Sequence, residues 1–266
     1  MSAMVKVAKI AMSLPAPVDV LGIPIHPITP EQLIETVVAW GNEPGLHRVY
    51  NVNVHAMNLA HDLPEFRRYL QNADLVFCDG YGVKWGARIV GAEIPHRMTS
   101  ADWMDDFARA TAEAGQSVFA LGDEEGIADE FQRLLSARHS GYRSAGSHHG
   151  FFEKTGVENE RVIEMINDSG ATHLLVGFGM PLQEQWIEAN ADKLNVRVVV
   201  PLGAIFRWYT GTDKRAPKWV TDNGLEWLAR LARHPVRHFR RYVIGNPRFV
   251  ARAVAWRLRQ GVSGRG

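Results

Sequence analysis

The chain of 266 residues has a single cysteine, Cys78, so it can form no internal disulfide, and no cysteine pair marks a metal site. Long apolar runs are missing too: stretches such as Val198 to Phe206 are under half of the ~20 residues that a membrane-spanning helix needs. The start, MSAMVKVAKIAMSLPAP, has two lysines and too short an apolar stretch for a secretory leader. These absences lead us to expect a cytoplasmic protein that meets a membrane only at its surface. There is no Walker loop and no three-glycine dinucleotide fingerprint, since Gly177 and Gly179 are followed by Pro181 and Leu182. No Asp-x-Asp pair occurs. The tandem His148 and His149 point apart as sequence neighbours and have no further ligand at suitable spacing, so they read as loop or substrate contacts. Neither a metal nor a cofactor is expected.

Lysine also disappears after Lys218, where arginine takes over. Residues 225 to 260 hold nine arginines against one acid, Glu226. With Arg265, residues 225 to 266 carry +9, so the preceding 224 residues carry −8 in a chain whose net charge is +1. An acidic body with a basic, aromatic-rich end points to a polyanionic partner for that end. Arginine in place of lysine favours bidentate phosphate contacts. Asn246 and Pro247 read as a helix cap and first turn. From there Phe249, Ala253 and Trp256 fall on one stripe, with Arg248, Arg252 and Arg259 on its flank. Such a helix lies in a membrane interface; the alternative is a C-terminal helix that packs this stripe on the body. Nucleic acid is disfavoured, because the acidic body would repel it.

Strands and helices alternate along the body. Apolar, β-branched runs at Val18 to Ile25, His47 to Asn53, Leu75 to Cys78, Ser117 to Leu121, His173 to Gly177 and Val196 to Pro201 read as strands. Helical patterns lie between them at Pro30 to Trp40, Pro64 to Gln71, Thr99 to Ala114, Glu124 to Ala137, Asn159 to Asn167 and Leu182 to Asp192; Thr99 and Asp102 form a candidate capping box. This βαβ rhythm predicts an α/β fold with a mostly parallel sheet covered by helices on both faces. The sheet is complete by residue 212, which suggests a catalytic core over 1–212 and an Arg-rich helical appendage over 213–266.

Glycines gather where the strands end, at CDGYG (78–82), LGDEEG (121–126), VGFGMP (176–181) and PLG (201–203). Ligands bind outside the carboxyl ends of parallel strands, so these loops face one cleft. Glycine there lets backbone approach a phosphate closely, and a nucleotide site is the natural reading. The acids Asp123, Glu124 and Glu125 would repel phosphate, so that loop reads as an ordinary strand-to-helix turn. Asp79, at the lip of the sheet, reads as a general base or as a turn cap. Gln183 and Glu184 open a helix, where an acid also suits the helix dipole.

Taken in order, NVNVH (51–55), ADLVFCDGYGV (73–83), FALGDEEG (119–126), HHGFF (148–152), GFGMPLQEQWI (177–187), RAPKW (215–219) and GLEWLARLARHPVR (224–237) resemble the WecG/TagA/CpsF family of bacterial glycosyltransferases, glycosyltransferase family 26, from about residue 18 to about 245. The resemblance implies a Rossmann-like core and inverting, metal-independent transfer. The sugar would pass from a nucleotide-sugar, usually UDP-linked, to a polyprenyl-diphosphate-linked acceptor at the inner membrane face. It implies Asp79 as catalytic base, Gln183 as active-site glutamine, and Arg230 and Arg237 as holders of diphosphate. Asn51 stands where many relatives have threonine, close to the base. The expected donor site is Asn53, Gly80, Gly122, Phe151, Gly177, Gly179 and Arg207; the family's tyrosine is Phe151 here, and its aspartate is Arg207. Arg240, Arg241, Arg248 and Arg252 are the expected membrane and lipid-diphosphate contacts. The product would serve surface or exopolysaccharide synthesis, and a homo-oligomer is compatible with the sequence. A non-catalytic membrane-surface protein of the same fold is the alternative.

Overall fold

The computed structural model describes residues 14–263; the side chains of Arg237 and of residues 261–263, and the start through residue 13, lie outside the described residues. A small antiparallel hairpin comes first, β1 (Val18–Val20) and β2 (Ile23–Ile25). Its two turn residues, Leu21 and Gly22, both have positive φ, 57° and 81°, a turn whose twist matches that of paired strands.

The main sheet contains β3 (His47–Val52), β4 (Leu75–Cys78), β5 (Ser117–Gly122), β6 (Arg143–His148), β7 (His173–Gly177) and β8 (Val198–Pro201). Its order is β4-β3-β8-β7-β5-β6, and every neighbouring pair is parallel. Period-two alternation divides the strand side chains between two cores. Tyr50, Val52, Val76 and Cys78 meet helices Val54–Asp62, Pro64–Gln71, Tyr81–Val90, Gly156–Asp168 and Leu182–Asn190 on one face. Val49, Leu75 and Phe77 meet Pro30–Trp40, Ser100–Glu113 and Ile127–Arg138 on the other. A strand buried on both faces is apolar throughout, which is why β4, β7 and β8 stand out in the sequence.

β6 escapes the sequence reading because RSAGSH is polar and lies at the sheet edge, paired with β5 alone. The helices Val54–Asp62 and Tyr81–Val90 also went unrecognised, each starting directly after a strand-end turn. Thr99 caps Ser100–Glu113 without any side-chain cap bond, so the expected capping box does not form.

The C-terminal segment continues as short helical turns, Lys218–Asp222, Glu226–Arg233, Pro235–Phe239 and Arg240–Ile244, and then a long helix, Gly245–Ser263. That helix corrects the interfacial reading. Phe249 and Ala253 are fully buried in the same core as β3 and β4, and Trp256 packs against it. Phe249 lies where a Cβ on Gly86 would come within 2.4 Å of its ring, so Gly86 makes the helix contact possible. The sheet ends at Pro201, yet this core is completed only by residues near the C-terminus.

Candidate active site

Loops from the carboxyl ends of β3, β4, β5, β7 and β8 form one wall of a cleft of about 1990 Å³, and residues between 213 and 251 form the other. Asp79 stands directly after β4, its N–H donating to Val52 O at 2.9 Å, so the backbone of β3 fixes its position. Its carboxylate Oδ1 is buried with no hydrogen-bond partner. Burial, and then the nearby Glu226 carboxylate, push Asp79 up to about 6, against the opposing pull of Arg230, Thr99 and Asn53. A carboxylate so destabilised in its charged form is a stronger base than an exposed one and is still mostly ionised at pH 7.

Six arginines line the cleft with it, Arg97, Arg207, Arg215, Arg230, Arg233 and Arg241, and four of them gather with Asp79, Thr99, Asp102 and Glu226. Arg97 donates to Thr99 Oγ1 at 2.5 Å and to Asp102 Oδ2 at 3.0 Å. Arg215 donates to the other oxygen of Asp102 at 2.6 Å; its Nε and Nη2 are buried without a hydrogen-bond partner, although Nη2 lies 3.9 Å from Glu226 Oε2 as an ion pair. Thr99 and Asp102 are therefore occupied with arginines, which explains the missing capping box. Arg230 donates from Nε to Glu226 Oε1 at 3.1 Å, and its guanidinium lies 4.2 Å from the Trp208 ring centre. Arg241 has a buried Nε with no partner, and burial together with the Arg230 charge lowers its pKa. Unsatisfied guanidinium donors cost free energy unless an anion completes them. The wall opposite Asp79 is built to receive one.

The remaining expected residues divide by what they touch. Gln183 is 1% exposed, and its Oε1 accepts from Gly179 N at 3.0 Å and Gly203 N at 3.2 Å, tying the loops after β7 and β8 together. Its Nε2 donates to Glu184, a buried acid that burial pushes up to about 7. Asn51 donates to Pro201 O at 2.6 Å and so fastens β3 to the end of β8. Asn53 caps helix Val54–Asp62 by accepting from His55 N and Ala56 N at 3.0 and 3.2 Å. Gly80 lines the cleft beside Asn53. At Gly122 a Cβ would come within 2.7 Å of Gly177 Cα, so glycine lets these two strand-end loops touch. Gly177 and Gly179 both line the cleft, as does the exposed Phe151. Arg207 turns across the cleft mouth to Asp123 and Glu124.

The tail arginines split in the same way. Arg248 and Arg252 reach Asp62 at 3.2 and 2.5 Å, and Arg252 also reaches Asn58 Oδ1 at 2.7 Å, so these two anchor the last helix to the body. Arg240 is exposed. Arg237 cannot be placed, since its side chain lies outside the described residues. Sequence reasoning missed Arg97, Arg215, Glu226 and His55. Arg215 opens a motif already quoted, RAPKW, whereas Arg97 stands two residues before Thr99 and five before Asp102 in no motif, and the fold brings it over the Tyr81 ring. Burial and the Arg241 charge push His55 down to about 4, leaving it neutral at pH 7. Among the described residues no group of three His, Cys, Asp or Glu side chains is placed to hold a metal, and no helix is long and apolar enough to cross a membrane.

Relatives share this chain's sequence over most of its length. The N-acetylglucosaminyldiphosphoundecaprenol N-acetyl-beta-D-mannosaminyltransferases of Staphylococcus aureus strains MRSA252 and NCTC 8325 / PS 47 are each 25% identical to it over 217 residues, 81% of this chain and 84% of theirs. The profile of the glycosyl transferase WecG/TagA/CpsF family matches residues 18–263, and the chain belongs to that family of glycosyltransferases.

Proposed function

We propose that the protein transfers an N-acetylhexosamine from a nucleotide-sugar, UDP-linked as the family resemblance implies, to a sugar on a polyprenyl diphosphate, with inversion at the anomeric carbon. The observation that carries this reading is the buried, partnerless carboxylate oxygen of Asp79 in a cleft whose lining includes Arg97, Arg215, Arg230 and Arg241. Asp79 accepts the proton of the acceptor hydroxyl as that oxygen bonds to the anomeric carbon. The bond from this carbon to the donor diphosphate breaks with its electron pair, and the nucleoside diphosphate departs. Single displacement inverts the centre. The partnerless donors of Arg215 and Arg241, with Arg230, neutralise the leaving diphosphate as charge develops on it. Gln183 keeps the loops after β7 and β8 in register instead of touching the reacting atoms.

The acceptor is lipid-linked, so this reading needs a membrane-facing surface. Val236 is 94% exposed and Phe239 53%, and Val243 and Ile244 are exposed beside Arg240. That patch, rather than the buried Phe249 stripe, faces the inner leaflet, with Arg240 drawn to anionic headgroups. The protein then works from the cytoplasmic side as a peripheral enzyme.

The test is direct: incubate the purified protein with UDP-N-acetylmannosamine and a short-chain polyprenyl diphosphate bearing N-acetylglucosamine, and follow the disaccharide product by mass spectrometry. Product from the native protein and none from Asp79→Asn supports the reading. Lipid-acceptor binding without turnover of any nucleotide-sugar favours the non-catalytic alternative.

A further inference from the structure

At the β5 end of the cleft lies an assembly that the proposed transfer step does not use. Arg207, on the short helix Ile205–Tyr209, donates from Nε to both oxygens of Asp123 at 2.7 and 3.0 Å. Its Nη2 donates to Glu124 Oε1 at 2.6 Å. Asp123 Oδ1 accepts the Glu124 N–H as well, at 2.8 Å. Asp123 holds this arrangement with a left-handed backbone, φ 62°, which few side-chain-bearing residues adopt. Strain of that kind persists where surrounding contacts over-determine it, and it concentrates at binding sites.

The bridge treats its two acids differently. The Asp123 side chain is 8% exposed and both its oxygens face Arg207, whereas the Glu124 side chain is 63% exposed and has one oxygen held. Glu124 Oε2 has no protein partner among the described residues and belongs to a side chain that lines the cleft. Two carboxylates against one guanidinium leave the bridge itself with one net negative charge, so phosphates are not drawn to it. They are drawn to the Arg97, Arg215, Arg230 and Arg241 group around Asp79 at β4. With the order β4-β3-β8-β7-β5, the two ends are four strand spacings apart, about 19 Å. That span suits an extended nucleotide-sugar with its nucleoside at β5. Next to the bridge, Gly150 N–H donates to Asp123 O at 2.7 Å, which brings the exposed Phe151 ring to the same end as a stacking face. An acid near the carboxyl end of a parallel strand is suited to accept hydrogen bonds from ribose hydroxyls.

We infer that Glu124, oriented by Arg207 and Asp123, binds the ribose cis-diol of the donor while Phe151 stacks on its base. The donor is then a ribonucleotide-sugar, and 2′-deoxyribonucleotide-sugars such as thymidine-linked ones are rejected. This inference rests on the nucleotide-sugar reading above. Arg207 acts as a positioning residue: its positive charge holds Glu124 in place and does not itself meet the ligand.

Calorimetry on the full chain tests it, using UDP, GDP, CDP and ADP, each beside its 2′-deoxy counterpart. For whichever nucleotide binds, loss of one hydrogen bond to a charged group weakens the 2′-deoxy form at least about tenfold. Glu124→Ala, at an exposed position where folding is not at issue, abolishes that ratio and brings the two forms to equal affinity. Arg207→Ala lowers the ratio several-fold by freeing Glu124. Equal affinity of ribo and deoxy forms for the native protein, or an undiminished ratio in Glu124→Ala, overturns the inference and leaves the transferase reading intact. If no nucleoside diphosphate binds at all, both fall together.

Discussion

Asp79 is placed where catalysis and stability make opposite demands. Its folded pKa, raised from 3.8 to about 6, means that the fold favours the protonated acid. Its stabilising contribution is therefore complete below pH 3.8 and is lost as the pH rises through about 6. A shift of this size is worth on the order of 2 to 3 kcal/mol. Asp79→Asn should accordingly raise the melting temperature at pH 7, with little difference at pH 4, while transfer falls about 100-fold or more. A mutant that is inactive but no more stable would separate the two effects and count against burial as the source of the shift. In the native enzyme kcat/KM should rise with pH through about 6, as the base becomes ionised. Gln183 makes a different prediction. Gln183→Ala leaves the Gly179 and Gly203 N–H groups unpaired and should cost about 1–3 kcal/mol in urea unfolding, with weaker donor binding as the loops after β7 and β8 separate. Loss of turnover with stability and donor affinity both unchanged would instead place Gln183 at the reacting atoms.

Helix Gly245–Ser263 shows how an element's sequence pattern can be read correctly and its partner misjudged. The stripe of Phe249, Ala253 and Trp256 is amphipathic, and amphipathicity alone does not say whether protein or lipid covers the apolar side. Gly86 decides it: a missing side chain on helix Tyr81–Val90 leaves room for the Phe249 ring. Phe249→Ala should then destabilise the protein by about 3–5 kcal/mol, the usual loss for an aromatic removed from a core, measured by urea unfolding. If the cost is below about 1 kcal/mol, the helix is not part of the cooperative core. Ending the chain at Ile244 exposes Val83 and Ala87, which are buried in that core. Its expected result is insoluble protein, not an active core that has lost only its membrane contact.

The molecule as a whole divides its charge less simply than the sequence suggests. Part of the +9 of the last 42 residues, a figure that already counts Glu226, is neutralised by acids of the preceding chain, through Arg248 and Arg252 with Asp62 and through Arg233 with Asp213. The membrane contact proposed above would use the exposed apolar patch of Val236, Phe239, Val243 and Ile244 with the exposed Arg240. Replacing Phe239 and Ile244 by glutamate removes apolar contact and adds repulsion from anionic lipid. Co-sedimentation with anionic vesicles should fall at least about tenfold, given about 0.8 kcal/mol for each buried methylene and about 1 kcal/mol for each surface charge. Transfer to a soluble short-chain acceptor should be unchanged. Undiminished sedimentation would move the membrane face elsewhere on the molecule.

Much of this was legible before folding. The strands Leu75–Cys78 and His173–Gly177 and the helices Pro30–Trp40 and Pro64–Gln71 have the ends that their periodicity predicted, because apolar spacing and capping act over a few residues. Asp79 could be found for the same reason: it follows a buried strand directly, and such a position faces the cleft in any parallel sheet. Pairing was not legible. Asn58 meets Gly245 across 187 residues, and Arg207 meets Asp123 across 84. Thr99 and Asp102 carry a capping signature, yet Arg97 and Arg215 took their side chains, an outcome no local pattern reveals. The sequence by itself determined the layered sheet, the carboxylate at its lip and the surplus of arginine. Only the tertiary structure decided which arginines face Asp79, which hold the last helix to the body, and which side of that helix is covered, because those choices depend on contacts between residues far apart in the chain.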